Sequence, residues 1–453
     1  MNRPEDHCGT GGVLNPITGK EGTVFGLIRK RREELLQLAD ALIACDTTTR
    51  RGRGEEAPRD EEKIQRILAE QLESMGAQAD LWEPEPIRPD NRYFKEAIDF
   101  RGRPQLLATV KGAGGGRTLL LNGHIDVVTA EPLDKWSVDP FRGTVKDGLL
   151  YGRGACDMKG PLAAIVFALK MLKEAGVRLR GDVVFCSNTD EESTGVGGYA
   201  CALRGLYADG GISGEPSGFD LWVACRGGYY ATVGIPGRAG HAEMPHRHWR
   251  AGGAVNPIDK LPLVLDAVRR LREDWRLRPD KQHPLLSGGD IVVTMVKAGV
   301  WEATLPSECE LAMGVFFSPH EVDTSGSGAH VRREVEEQIN KAAAADPWLA
   351  SHPLRWKWST ETYPAQVDAR EAIVEITQQV AHELRRAGRI AGLDSWHDAA
   401  TFTKFAGIPT ISFGPPDLEH AHTVDESVPV DDLVDYAAAI AMIAMRFCSV
   451  VDS

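Results

Sequence analysis

Residues 118–128 read TLLLNGHIDVV, a largely apolar run interrupted by an imidazole and a carboxylate two residues apart. In extended chain the side chains of His124 and Asp126 fall on one side of the strand end. That geometry suits a metal-bound histidine backed by a neighbouring carboxylate. It equally suits a core histidine bonded to its neighbour. Further along stand groups of the same chemistry: Asp157 in GRGACDMKG, Glu191 and Glu192 in TDEES, Glu215 in SGEPS, and His420 and His422 in HAHTVDES. Each has an ordinary reading. Asp157 could cap the helix that follows it, Glu191 and Glu192 could be a solvated loop pair, and His422 a surface or core histidine. Together they share one address, at or just past the ends of inferred buried strands, where unpaired carboxylates are costly. A shared pair of divalent cations removes that cost.

The elements that must position these residues follow from periodicity. Apolar spacing predicts helices over 24–47, 61–75 and 158–175, with Gly76 ending the second. Residues 106–111 and 118–122 flank a glycine-rich turn and read as a hairpin. Segments 182–188 and 210–214 read as buried strands, and the strand–helix–strand rhythm favours a mainly parallel sheet covered by helices. Ligands of such sheets gather at the carboxyl ends of the strands. From about Gly227 the rhythm changes. Strands at 229–235, 290–296, 309–317 and 354–359, with helices at 257–276 and 329–345, give a β-α-β-β-α-β order, which is the ferredoxin-like arrangement. The chain then returns to a helix at 373–387, a strand at 410–413 and a helix at 431–447. The expectation is an α/β catalytic domain made of 1–226 and 361–453, interrupted by an α+β lid domain at 227–360, with residues 1–22 as a loosely held arm.

Size and charge agree with two domains. The chain has 453 residues, 42% apolar and 26% charged, which is ordinary for a folded globular protein. A net charge of −13 argues against nucleic acid or an anionic membrane as the main partner. Eight scattered cysteines contain no C-x-x-C pair and read as reduced thiols. With no apolar leader or membrane-length run in the sequence, a cytoplasmic location is expected.

The motifs GHIDVV, GRGACDMKG, TDEES, SGEPS and AHTVDE, in that order, resemble the M20 metallopeptidase family. Within it they look like the acetylornithine deacetylase / succinyl-diaminopimelate desuccinylase branch. The resemblance runs from about residue 24 to the C-terminus, and the 227–360 insertion matches the family's lid, or dimerisation, domain. It implies a two-metal site of Zn²⁺, with Co²⁺ or Mn²⁺ as alternatives. Asp157 would bridge the metals, His124 and Glu215 would complete one, and Glu192 and His422 the other. Asp126 would orient His124, and Glu191 would be the general base that passes a proton from a metal-bridged water to the departing amine. His241, in GRAGHAEMPH, matches a lid histidine that would reach an active site as donor to the oxyanion, either its own or, as is often so in the family, that of a partner subunit. A homodimer through the lid is expected.

Where the match loosens, it bears on the substrate. Relatives acting on α-amino-acid derivatives tend to carry an arginine on the lid strand that here runs from Cys309 to Phe317 without one. Arg226 is a substitute carboxylate ligand or a structural ion-pair partner. Trp396, His397 and Asp398, in GLDSWHDAATF, stand where the family lines its substrate pocket, and Trp301 on the lid could contribute. The resemblance implies an amidohydrolase, similar to acetylornithine deacetylase, that releases a small acyl group from an N-acylated amine or amino acid. The departures make an N-formyl or N-acyl heterocyclic amine an alternative substrate. A dinuclear dipeptidase or carboxypeptidase is the alternative, and Glu215 in place of Asp leans away from it. A binding protein that kept the fold and lost catalysis is a remoter one.

Overall fold

The computed structural model describes residues 19–49, 60–88, 98–359 and 361–451. Most of the expected N-terminal arm lies outside them, as does Thr360 at the expected domain boundary. Residues 19–22 belong to the first helix. In chain order the opening elements are helices α1 (Gly19–Lys30), α2 (Arg32–Ile43) and α3 (Glu61–Ser74), then strands β1 (Gln78–Trp82), β2 (Gln105–Val110) and β3 (Leu119–His124). Short strands β4 (Thr144–Lys146) and β5 (Leu149–Tyr151) precede α4 (Lys159–Glu174), β6 (Val183–Asn188), α5 (Val196–Leu203), β7 (Gly210–Ser213) and β8 (Leu221–Cys225). The helix expected over 24–47 is two helices, broken at Arg31, where φ is −108° and ψ 22°.

A second group follows: β9 (Gly227–Pro236), β10 (Gly240–His241), α6 (Leu261–Leu277), β11 (Asp290–Ala298), β12 (Thr304–Leu305), β13 (Glu308–Phe317), α7 (Ala329–Ala343), α8 (Pro347–Ser351) and β14 (Arg355–Trp358). The chain closes with β15 (Ala365–Gln366), α9 (Ala372–Glu383), β16 (Ile390–Leu393), α10 (Asp398–Thr401), β17 (Thr410–Ser412), β18 (Ser427–Pro429) and α11 (Val430–Phe447).

The central sheet runs β1-β2-β6-β3-β7-β17-β8-β15, with β16 also on β8. Its middle, β6-β3-β7-β17, is parallel, and antiparallel strands flank it. β2 and β3 do not form the expected hairpin: β6 inserts between them, antiparallel to β2 and parallel to β3. The physical reason lies in burial. Every residue of β3 and of β6 is buried, so each needs neighbours on both edges and helices on its faces. Helix α4 is buried almost all round and lies against α11 and α2. Gly123 permits its approach to β3, since a Cβ there would stand 2.7 Å from Leu162 Cδ1.

The second sheet, β11-β13-β9-β14, is antiparallel and covered by α6 and α7. Their apolar faces meet it in a separate core that includes Val264, Leu271, Trp275, Val331 and Ile339. The architecture is thus α/β, with a mainly parallel sheet at its centre and a ferredoxin-like lid sheet. Among the described residues no helix is long and apolar enough to cross a membrane.

Candidate metal and active site

The parallel strands end together, and the acid and imidazole side chains sit at those ends. His124 is the last residue of β3, Glu191 and Glu192 follow β6, and Glu215 follows β7. Asp157 comes from the loop ahead of α4, where it makes no cap: the helix is preceded by Met158 with no side-chain cap bond. The structure gathers two groups. His124, Asp157 and Glu215 form one, and Asp157, Glu192 and His422 the other, each with ligand atoms within 4.8 Å of one another. Asp157 belongs to both. Its Oδ1 stands 3.0 Å from His124 Nε2, and its Oδ2 stands 3.5 Å from His422 Nε2. His422 Nε2 is also 3.1 Å from Glu192 Oε1.

This electrostatic arrangement is one of shortage of positive charge. Burial, with Glu215 close by, pushes the Glu191 carboxyl well above its ordinary range. Burial and Asp157 do the same to Glu215, whose Oε1 is buried with no hydrogen-bond partner. Asp157 goes the other way. Burial opposes its ionisation, yet contacts with His124 and His422 hold it below the usual carboxylate range. The contacts with Asp157 and Glu192 raise His422 to about 10. Buried carboxylates that can ionise together only beside extra cations, presented with two imidazoles, are the donor set of divalent transition metals. The residues fit a two-metal centre.

Asp126 serves this site differently from expectation. Its carboxylate stands 3.7 Å from His124 Nδ1, and the atom 2.9 Å from that nitrogen is its own main-chain oxygen. The two carboxylate oxygens accept from the main-chain N–H groups of Glu191 and Glu192, at 3.1 Å each. The fully buried Asp126 therefore fixes the turn that carries both glutamates.

Glu426, four residues after His422, was not singled out in the sequence. Its Oε1 accepts from the N–H groups of Gly154, Cys156 and Asp157, at 2.9–3.0 Å, and its Oε2 pairs with Arg153. One buried carboxylate thus cradles the loop that delivers Asp157. The signal was present in AHTVDE, where the glutamate follows a histidine of the site, but nothing in its type or spacing points to a main-chain partner so far away in sequence.

Three of the expected substrate contacts are corrected. Arg226 is not free for a carboxylate: Nε and Nη2 donate to the Asp394 carbonyl at 2.9 and 2.6 Å, and Nη1 to that of Gly288 at 3.2 Å. It ties the lid to the 390s loop. His397 and Asp398 are buried beneath the strand ends rather than facing a ligand. His397 Nδ1 stands 2.8 Å from Ser412 Oγ, and Asp398 accepts from Asn188 at the end of β6. Fully buried positions read as substrate-facing because a polar loop in sequence gives no hint of which side packs inward. Trp396 is half-buried. Its ring edge lies where a Cβ on Gly195 would be, 2.1 Å away, so only glycine, here at φ +70°, fits that position. His241 lies exposed on β10, paired with β12, and belongs to neither metal-binding group. Trp301, close by in the chain, is 63% exposed.

Strand ends of this kind, carrying two carboxylate–imidazole groups with a shared aspartate, define a metal-dependent hydrolase. The profile of Peptidase family M20/M25/M40 matches residues 120–446, and the chain belongs to that family. It is 29% identical over 440 residues to N-formyl-4-amino-5-aminomethyl-2-methylpyrimidine deformylase of Halalkalibacterium halodurans, covering 93% of this chain and 96% of that one. It is 28% identical over 331 residues to succinyl-diaminopimelate desuccinylase of Xanthomonas euvesicatoria, covering 70% and 81%. The fold matches that of human carnosine dipeptidase 1 with a TM-score of 0.69 at 16% identity, over 95% of this chain and all of that one. The protein is accordingly an amide hydrolase that uses divalent metal.

Two measurements test this construction. Glu426→Ala strands three buried N–H groups and the Arg153 guanidinium, and is expected to lower unfolding free energy by about 3–5 kcal/mol in urea denaturation. Burial holds the His397 imidazole down at about 4, against an ordinary value of 6.5. The unfolded chain therefore takes up a proton near pH 6.5 that the fold refuses until about pH 4. Stability falls as pH drops through that window, by up to roughly 3 kcal/mol for this group. His397→Gln should show a shallower loss than wild type between those limits; parallel slopes would contradict it.

Proposed function

We propose that the protein removes the formyl group, or a comparably small acyl group, from the exocyclic amine of a heterocyclic substrate. The observation that carries the hydrolytic assignment is Asp157, one carboxylate shared between two metal-binding groups. The substrate class rests on the near-full-length likeness to the formyl-aminopyrimidine deformylase, on a lid strand without arginine, and on an Arg226 occupied by main-chain carbonyls. Neither of those two positions offers a free cation to a substrate α-carboxylate.

In this reading Asp157, His124 and Glu215 would hold one divalent ion, and Asp157, Glu192 and His422 a second, with Zn²⁺ the expected metal and Co²⁺ or Mn²⁺ as substitutes. When bound, the metal pair supplies Lewis-acid polarisation of the amide carbonyl and acidifies the attacking water. Glu191 takes a proton from that water as it adds to the carbonyl carbon, then delivers it to the amine nitrogen as the C–N bond breaks. Formic or another small acid and the free amine leave. Asp126 keeps Glu191 and Glu192 in place by binding their N–H groups. Trp396 offers an aromatic wall against which a flat ring can rest.

His241 is read as the donor to the developing oxyanion of a partner subunit's site, in a homodimer joined through the lids. Its exposure supports this, and so does β11, which is one of the two edges of its sheet and carries Met295 and Val296, both more than 40% exposed. The described cysteines are free and buried, in keeping with a cytoplasmic enzyme.

The test is a hydrolysis panel on the zinc-loaded protein: formylaminopyrimidines, N-succinyl-diaminopimelate, N-acetylornithine and dipeptides. Formylaminopyrimidine is expected to be preferred, and Glu191→Gln to lower kcat by about 10²–10⁴-fold with metal retained. Cleavage of dipeptides alone would move the protein to the peptidases. Light scattering should give a dimer, and His241→Ala should lower kcat by about 10²–10³-fold without dissociating it; a fully active monomer would remove the role in the partner's site.

A further inference from the structure

The turn from Thr189 to Glu192 presents two neighbouring carboxylates in different directions, and its backbone is unusual. Asp190 has φ +69°, a conformation non-glycine residues rarely adopt, and is buried. Its main-chain oxygen accepts from the N–H groups of Thr194 and Gly195 at 3.1 and 2.8 Å, which turns the chain sharply after Glu192. Something must hold both the left-handed backbone and the buried charge.

Arg103, just ahead of β2, does so. It is 9% exposed, and its guanidinium donates from Nη2 to Asp190 Oδ1 at 2.9 Å. The same guanidinium grips Glu61, at the start of α3, through Nε at 2.7 Å and Nη2 at 3.1 Å. Asp190's other oxygen accepts from the Thr194 hydroxyl. Two residues along the chain from Arg103, the Gln105 side chain receives the Thr189 N–H at 3.0 Å and meets the Thr189 hydroxyl at 3.2 Å. Seen from the site, Asp126 holds the turn from within and Arg103 holds it from behind.

We infer that Arg103 is a positioning residue: through Asp190 it sets the turn that aims Glu191 at the scissile amide and Glu192 at the metal shared with His422. The inference rests on the roles given above to those two glutamates. A fork that bridges two carboxylates is what arginine offers and lysine does not. Lysine can keep the charge while losing the link between Glu61 and Asp190.

The experiment compares Arg103→Lys, Asp190→Asn and the double variant, each checked for folding by circular dichroism. Arg103→Lys should lower kcat on formylaminopyrimidine by roughly 10- to 100-fold, with KM changed less than about threefold. Calorimetric titration of the metal-stripped protein with Zn²⁺ should show one site weakened about tenfold or more and the other unchanged. Because Arg103 acts through Asp190, the double variant should be no worse than the poorer single by more than about threefold. Losses that multiply in the double variant, or kcat and both zinc affinities unchanged in Arg103→Lys, would overturn the inference. Should the wild type bind two zinc ions yet hydrolyse no amide, the proposed reaction fails while the zinc titration still decides the role of Arg103.

Discussion

Negative charge held out of water at the ends of the parallel strands is the constraint to which the rest of this structure answers. His124, Asp157 and Glu215 are buried there with Glu191 and Glu192 half-buried beside them, and a lone carboxylate in such a place is expensive. The fold meets that cost with opposing partners at two levels. Imidazoles and the divalent cations they would share face the carboxylates from the cleft. Behind them a second set of groups, Asp126, Glu426 with Arg153, and Arg103 with Glu61, fixes the backbone from which the carboxylates project. Neither layer works alone, because a metal centre of this kind tolerates little misplacement of its ligands.

The sheet explains why those groups can be so close. The adjacent parallel strands β6 and β3 end side by side, His124 beside Asn188, and β7 ends two residues short, beside Asn122. A polar ladder crosses beneath them. Ser213 donates to Asn122 and Asn122 to Asn188, each at 2.8 Å, and Asn188 in turn donates to Asp398. These amides and hydroxyls satisfy one another where apolar packing gives way to the charged floor, so the strand ends are tied laterally as well as through the main chain.

Much of this was legible in the sequence, for identifiable reasons. The ligand candidates were visible because five short motifs each place a carboxylate or imidazole just past an apolar run. The lid was visible because its β-α-β-β-α-β rhythm differs from the strand–helix alternation around it. What was missed concerns pairing at a distance. Residues 106–111 and 118–122 look like a hairpin because a glycine-rich turn joins them. The competing pairing is with β6, whose wholly buried sequence demands two neighbours, and local pattern cannot weigh that demand. Arg226, His397 and Asp398 looked free because a polar residue in a loop carries no mark of the main-chain carbonyls or buried amides that will occupy it. Glu426 and Arg103 went unnoticed for the converse reason: their partners are main-chain N–H groups and acids brought near only by the finished topology.

Asp157 and His422 are separated in the chain by the entire lid, and Glu426, which shapes the Asp157 loop, follows both. A ribosome therefore delivers the first carboxylates of the centre long before the imidazole and the cradle that complete it. The growing chain has no finished two-metal cage while the lid, with a core of its own, is already able to collapse. His124, Asp157 and Glu215 all precede the lid, so the group that would hold one ion is complete in sequence before the lid is made, whereas the group that would hold the other waits for His422. The two halves of the centre would fill at different stages of synthesis, the second only in a nearly finished molecule.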